Sequence, residues 1–87
     1  LKNIKNNINF INFINDFIDI IDDIEPFESS LIESHINKIL KEKNILLKEI
    51  AQPLRYLLTG KYVSPGLFIL IELLGKEKTK KRISIIL

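Results

Sequence analysis

The 87-residue chain has no cysteine, no methionine and a single histidine. Without cysteine, disulfides and thiolate metal sites are excluded, which fits a reducing, cytoplasmic setting. The one histidine, His35, has no clustered carboxylates at ligand spacing, so it reads as a surface residue on a polar helix face, not a metal ligand. Methionine is missing even at position 1, so the chain is expected to be a fragment or processed piece of a longer product. Long apolar runs are also lacking. The longest, Leu67–Ile71, is far short of the roughly 20 residues needed to cross a bilayer. Asn or Asp recurs every three or four residues through Asn9, Asn12, Asp16, Asp19 and Asp23, which excludes a signal peptide. The expectation is a soluble chain with no membrane partner. Its length allows one small domain, burying about 60–65% of its unfolded surface.

What is abundant is isoleucine, asparagine and lysine, whose commonest codons are A/T-rich. Apolar against polar position is therefore read as informative, and the choice of Ile over Leu is not. Net charge is only +2, but unevenly placed. Residues 1–28 carry two lysines (Lys2, Lys5) against six acids, a net −4; residues 29–87 carry eleven bases against five acids, a net +6. The C-terminal two thirds are the side expected to face a polyanion, with the first third turned away or packed elsewhere.

Periodicity predicts an all-α fold, a small helical bundle or superhelix of about five helices. Residues 3–24 read as one amphipathic helix. Its polar stripe is Asn9, Asn12, Asn15, Asp16, Asp19, Asp22 and Asp23, and an apolar face from Ile8 to Ile24 is wide enough to be left partly without a partner. Pro26 ends it. Ser30-Leu31-Ile32-Glu33 has the form of a capping box opening a second helix. That helix buries Ile32, Ile36, Ile39 and Leu40, and Asn44 terminates it in the left-handed region. A third helix runs from about Leu46 to Leu58, with a kink or break expected near Ala51–Gln52 because of Pro53, and Thr59-Gly60 closes it. Ser64-Pro65-Gly66-Leu67 reads as a serine cap with proline at the first helical position. The helix that follows runs to Leu74, has only Glu72 as a charge, is expected to be covered on most sides, and stops at Gly75. A last helix, about Lys76 to Ile86, carries the basic run Lys78, Lys80, Lys81 and Arg82, read as a solvated face with long-range attraction for a polyanion.

Three segments in order carry a family resemblance: Ala51-Gln52-Pro53-Leu54-Arg55-Tyr56-Leu57-Leu58-Thr59-Gly60, then Val63-Ser64-Pro65-Gly66-Leu67-Phe68, then Glu72-Leu73-Leu74-Gly75-Lys76-Glu77, with Arg82-Ile83 beyond them. Together, over about residues 50–83, they resemble the closing motifs of bacterial glutamyl-tRNA synthetases. Residues 1–49 match only as helical sequence. One departure is Ile69, at a position usually acidic in that family. The resemblance implies that residues 1–87 are a single C-terminal anticodon-binding domain, in which residues 1–28 pack against the rest and residues 50–87 bear the motifs. It implies binding of the anticodon loop of tRNA(Glu), as part of a class I glutamate–tRNA ligase that joins glutamate to that tRNA using ATP. The His-Ile-Gly-His-like and Lys-Met-Ser-Lys-Ser-like loops of such a catalytic domain are absent from this chain. No catalytic residue, cofactor or metal is therefore expected here, ATP and Mg belonging to the absent catalytic domain.

By the same resemblance, Gln52, Arg55, Ser64, Pro65 and Leu67 are the anticodon-binding residues. Guanidinium stacks on an unstacked base and forks to its edge or to phosphate, which suits Arg55; a salt bridge or helix cap within the bundle is the structural alternative. The Gln52 amide suits a base edge, or is simply exposed. Ser64, Pro65 and Leu67 offer a hydroxyl, a flat ring and backbone amides, or only a helix cap. Lys61 and Tyr62 lie in the joining loop and suit phosphate attraction and stacking, or solvent. The acids Asp16, Asp19, Asp22 and Asp23 follow helical spacing and read as a solvated face. Two other classes compete with the RNA reading. A helix-turn-helix DNA-binding protein is disfavoured because Pro65–Leu74 has no Arg, Asn or Gln to read bases. A helical interaction or dimerisation module is suggested by the wide apolar face of residues 3–24. The expected partner is tRNA(Glu), with no DNA, and the chain is expected to be monomeric.

Overall fold

The computed structural model of the protein describes residues 7–63 and 65–87. The expected helical start over residues 3–6 and the Ser64 cap lie outside the described residues. Four α-helices follow in order, α1 Ile8–Ile20, α2 Ser29–Lys43, α3 Leu47–Thr59 and α4 Leu67–Ile83, with short 3-10 turns at Ile21–Asp23 and Ser84–Ile86. Among the described residues there is no strand. Among the described residues the elements number four where about five were expected, since the two helices expected on either side of Gly75 run on from one another as α4, interrupted at that glycine by a kink. At the kink Gly75 has φ +84° and ψ 166°, a conformation essentially reserved for glycine.

The wide apolar face of the first helix is covered by the chain itself. Phe10, Phe13, Ile14, Phe17, Ile21 and Ile24 are all fully buried. Phe13 stacks on Phe17 with ring centroids 5.6 Å apart and on Phe10 at 6.5 Å. The cover comes from α2 and α3, against which both α1 and α4 pack. Ile8 is the exception and stands exposed at the helix start. There the Asn7 side chain accepts from the Phe10 amide at 3.1 Å and caps α1. The regular helix ends at Ile20, and Ile21 and Ile24 reach the core from the turn beyond it.

The expected capping box of α2 does not form. The helix begins one residue earlier, at Ser29, with no side-chain cap of its own. Its first amide donates instead to the Glu72 carboxylate of α4 at 2.7 Å. The single charge in the apolar half of α4 thus caps another helix. Asn44 does end α2, at φ 56° and ψ 46°. Of the kink or break expected near Ala51–Gln52, the break does not occur: α3 runs through Pro53 as one helix. Proline removes only one backbone bond, and Ile50 and Leu54, both fully buried, anchor the helix on either side of it.

Candidate nucleic-acid interface

In α3, residues 52, 55, 56 and 59 fall on one face by helical spacing, opposite the buried Ile50, Leu54 and Leu58. Gln52 and Thr59 are exposed; Arg55 and Tyr56 are half-buried. The end of this face is organised by short-range bonds. The Thr59 hydroxyl donates to the Arg55 carbonyl at 2.8 Å and accepts from the Lys61 amide at 3.0 Å. Gly60, at φ 80°, donates its amide to the Tyr56 carbonyl at 2.7 Å and turns the chain back. Tyr62 then stacks on Tyr56, with centroids 5.0 Å apart and planes at 28°. The loop is therefore folded onto the polar face of α3, where Tyr56 and Tyr62 form a stacked pair on the face that also bears Arg55.

Beyond the stack, Val63 and Pro65 are exposed. Pro65 is not the first residue of α4: Gly66 is its N-cap, at φ -45° and ψ 134°, and the helix starts at Leu67. Leu67 itself is 4% exposed and packs into the core. As the first residue of α4 it also carries one of the helix-start amides that have no partner within the helix. Of the residues assigned to this site, Gln52 and Arg55 thus share one face, and Pro65 lies exposed across the loop. The first half of α4 is covered on most sides, as expected. Leu67 and Ile71 are buried and Phe68, Leu70 and Leu74 half-buried, but Ile69 and Leu73, one turn apart, are 52% and 76% exposed.

The basic run in α4 is divided among different tasks. Lys76 bonds the Glu25 carboxylate at 2.7 Å and the Asp22 carbonyl at 3.2 Å, and lies over the Phe27 ring. Lys80 pairs with Asp22 at 3.0 Å. That hydrogen bond, ahead of the surrounding carboxylate charge, raises the Lys80 pKa above its ordinary value. Arg82 donates to the Leu58 carbonyl at the end of α3. Lys78, Lys81 and Arg82 are exposed, as expected of a solvated face, while Lys80 is half-buried. The acids behave likewise: Asp16 pairs with Lys43 at 3.2 Å and Asp22 with Lys80, while Asp19 and Asp23 are exposed. The His35 Nδ1 donates to the Leu31 carbonyl at 2.8 Å, a bond within its own helix. Sequence reasoning missed the Tyr56–Tyr62 stack and the Thr59 hydroxyl. A threonine just before a helix-ending glycine was the available signal for the latter.

Fold and face together define a small all-α module with one polar, tyrosine-bearing helix surface. Residues 2–87 match the family model described as an anticodon binding domain, and the chain belongs to that family. It is similar to a glutamate–tRNA ligase 2 of Thermosipho melanesiensis, 49% identical over 59 residues, which is 68% of this chain and 13% of the relative. A glutamate–tRNA ligase of Thermodesulfovibrio yellowstonii is 44% identical, and one of Thermus thermophilus 39%, over the same length and the same shares. The match thus spans 13% of the length of these curated relatives. No solved structure matches the chain.

Proposed function

We propose that this chain is the C-terminal part of a glutamate–tRNA ligase and binds the anticodon loop of tRNA(Glu), while ATP, Mg and the joining of glutamate to tRNA belong to a catalytic domain elsewhere in the parent enzyme. The observation that carries the reading is the polar face of α3, which bears Gln52, Arg55 and Tyr56, with Tyr62 of the following loop stacked on Tyr56. Sequence-specific RNA recognition works on unpaired bases, which stack on aromatic rings and guanidinium planes and hydrogen-bond through their edges. Gln52 is assigned a base edge, Arg55 a base or phosphate, and Tyr62 a stacking surface. Pro65 and the first amides of α4 complete the site from the other side of the loop, and Ser64, between Val63 and Pro65 in sequence, is assigned to the same site. Leu67 contributes through its backbone.

The test is a titration of the chain with tRNA(Glu), a non-cognate tRNA and duplex DNA, with sedimentation of the chain alone. Binding to tRNA without binding to duplex DNA supports the reading. Preference for the duplex, or concentration-dependent assembly without either nucleic acid, overturns it.

A further inference from the structure

The last turn of α3 has no basic residue of its own, although it is the carbonyl end of the helix that bears Gln52, Arg55 and Tyr56. Two of its terminal carbonyls are satisfied locally: Tyr56 by the Gly60 amide, and Arg55 by the Thr59 hydroxyl. The Leu58 carbonyl is satisfied from 24 residues away, by Nη1 of Arg82 in the last turn of α4, at 2.5 Å. The chain leaves α3 directly beyond this bond, through Gly60 and Lys61 to Tyr62.

We propose that Arg82 is a positioning residue for the RNA-facing loop, an inference that rests on the anticodon-binding reading and adds a residue to it. Its guanidinium supplies both a donor and a positive charge to a helix end that has no cation of its own in its last turn. That contact sets the direction in which the loop departs, and so keeps Tyr62 over Tyr56. The end of α4 is thereby tied to the end of α3, and the two motif-bearing helices hold the loop between them. A lysine keeps the charge and one donor but loses the planar fork, so it should restore the hold only in part.

The test compares the wild-type chain with Arg82→Ala and Arg82→Lys by native-state hydrogen exchange, and by affinity for a tRNA(Glu) anticodon stem-loop at low and at physiological salt. In Arg82→Ala the Gly60 and Lys61 amides should exchange about tenfold faster, the size expected for one charge-assisted bond, with the core amides of Leu54 and Ile71 unchanged. Stem-loop affinity should fall about tenfold with the same salt slope, and Arg82→Lys should lie between the two. A salt slope reduced by about 0.7 would mean that Arg82 contacts phosphate directly, and would overturn the positioning role. Faster exchange of all amides together, or no change at Gly60 and Lys61, would overturn it as well. If wild-type chain binds no stem-loop while the loop amides still respond, the anticodon reading fails and the hold of Arg82 on the loop stands.

Discussion

Thr79 is fully buried in α4, yet its hydroxyl has no hydrogen-bond partner among the described residues. The kink at Gly75, one turn earlier, takes the backbone there out of helical geometry. An unpaired buried hydroxyl costs about 1–3 kcal/mol, and valine fills nearly the same volume without it. Thr79→Val is therefore expected to stabilise the chain by roughly 1 kcal/mol, read as a higher urea midpoint at unchanged slope. Glu49 makes a prediction in pH. Its carboxylate accepts from the Leu46 amide at 2.7 Å and from Asn9 of α1 at 3.2 Å, and these bonds, with the charge of Lys48, lower its pKa below the ordinary 4.5 against the opposing effect of desolvation. A carboxyl whose pKa falls on folding stabilises the folded state above its unfolded pKa and loses that contribution as pH drops through the folded value. The stability gap between wild type and Glu49→Gln should accordingly be constant near neutrality and shrink below pH 4.5. At Arg55, replacement by alanine should weaken tRNA(Glu) binding by about 1–3 kcal/mol while the melting temperature stays put. Unfolding in proportion to the loss of binding would make Arg55 structural.

At the scale of elements, helix type and order were readable, because apolar stripes of period 3.6 and terminators such as Asn44 and Gly60 act within one turn of the chain. Helix starts were less so. The Ser30–Glu33 pattern has the composition of a capping box, but Glu72, 43 residues beyond Ser29, takes the cap instead. Glu72→Ala should cost about 1 kcal/mol, typical of a lost N-cap, although it alters no residue of α2. Gly75 makes the complementary case. A Cβ there would meet nothing within 4 Å, so the penalty of Gly75→Ala is purely conformational. With φ at +84° it is expected to be about 1–3 kcal/mol, measurable by thermal unfolding.

Across the whole molecule, the uneven charge seen in the sequence is folded back on itself. Asp22 and Glu25 of the acidic third lie against Lys80 and Lys76 of α4, and Asp16 lies against Lys43. Exposed pairs of this kind contribute about 0–1 kcal/mol each to stability. Their larger consequence is for binding, since paired lysines add less attraction for phosphate than the net +6 of residues 29–87 suggests. The chain by itself is therefore expected to bind tRNA(Glu) weakly, with strong salt dependence and modest preference over other tRNAs. Joined to a catalytic domain that holds the other end of the same tRNA, the site would gain through effective concentration. Affinities for cognate and non-cognate tRNA at two salt concentrations, with and without the rest of the enzyme, measure both effects. Tight, salt-insensitive binding by the chain alone would contradict this reading of its charges.

The sequence by itself determined the all-α class, the buried stripe of α2, the terminators, and the motif segments that mark the family. Each of these depends on residues within a turn or two of one another, or on the order of residues along the chain. Only the tertiary structure decided that Ile69 and Leu73 are exposed, that Tyr62 lies on Tyr56, and that Glu72 and Arg82 terminate helices other than their own. The physical reason is the same in each case. A helix end leaves backbone groups unsatisfied without specifying what must satisfy them, and an apolar side chain is buried only where another helix covers it. Which residue arrives there is set by packing between elements distant in sequence.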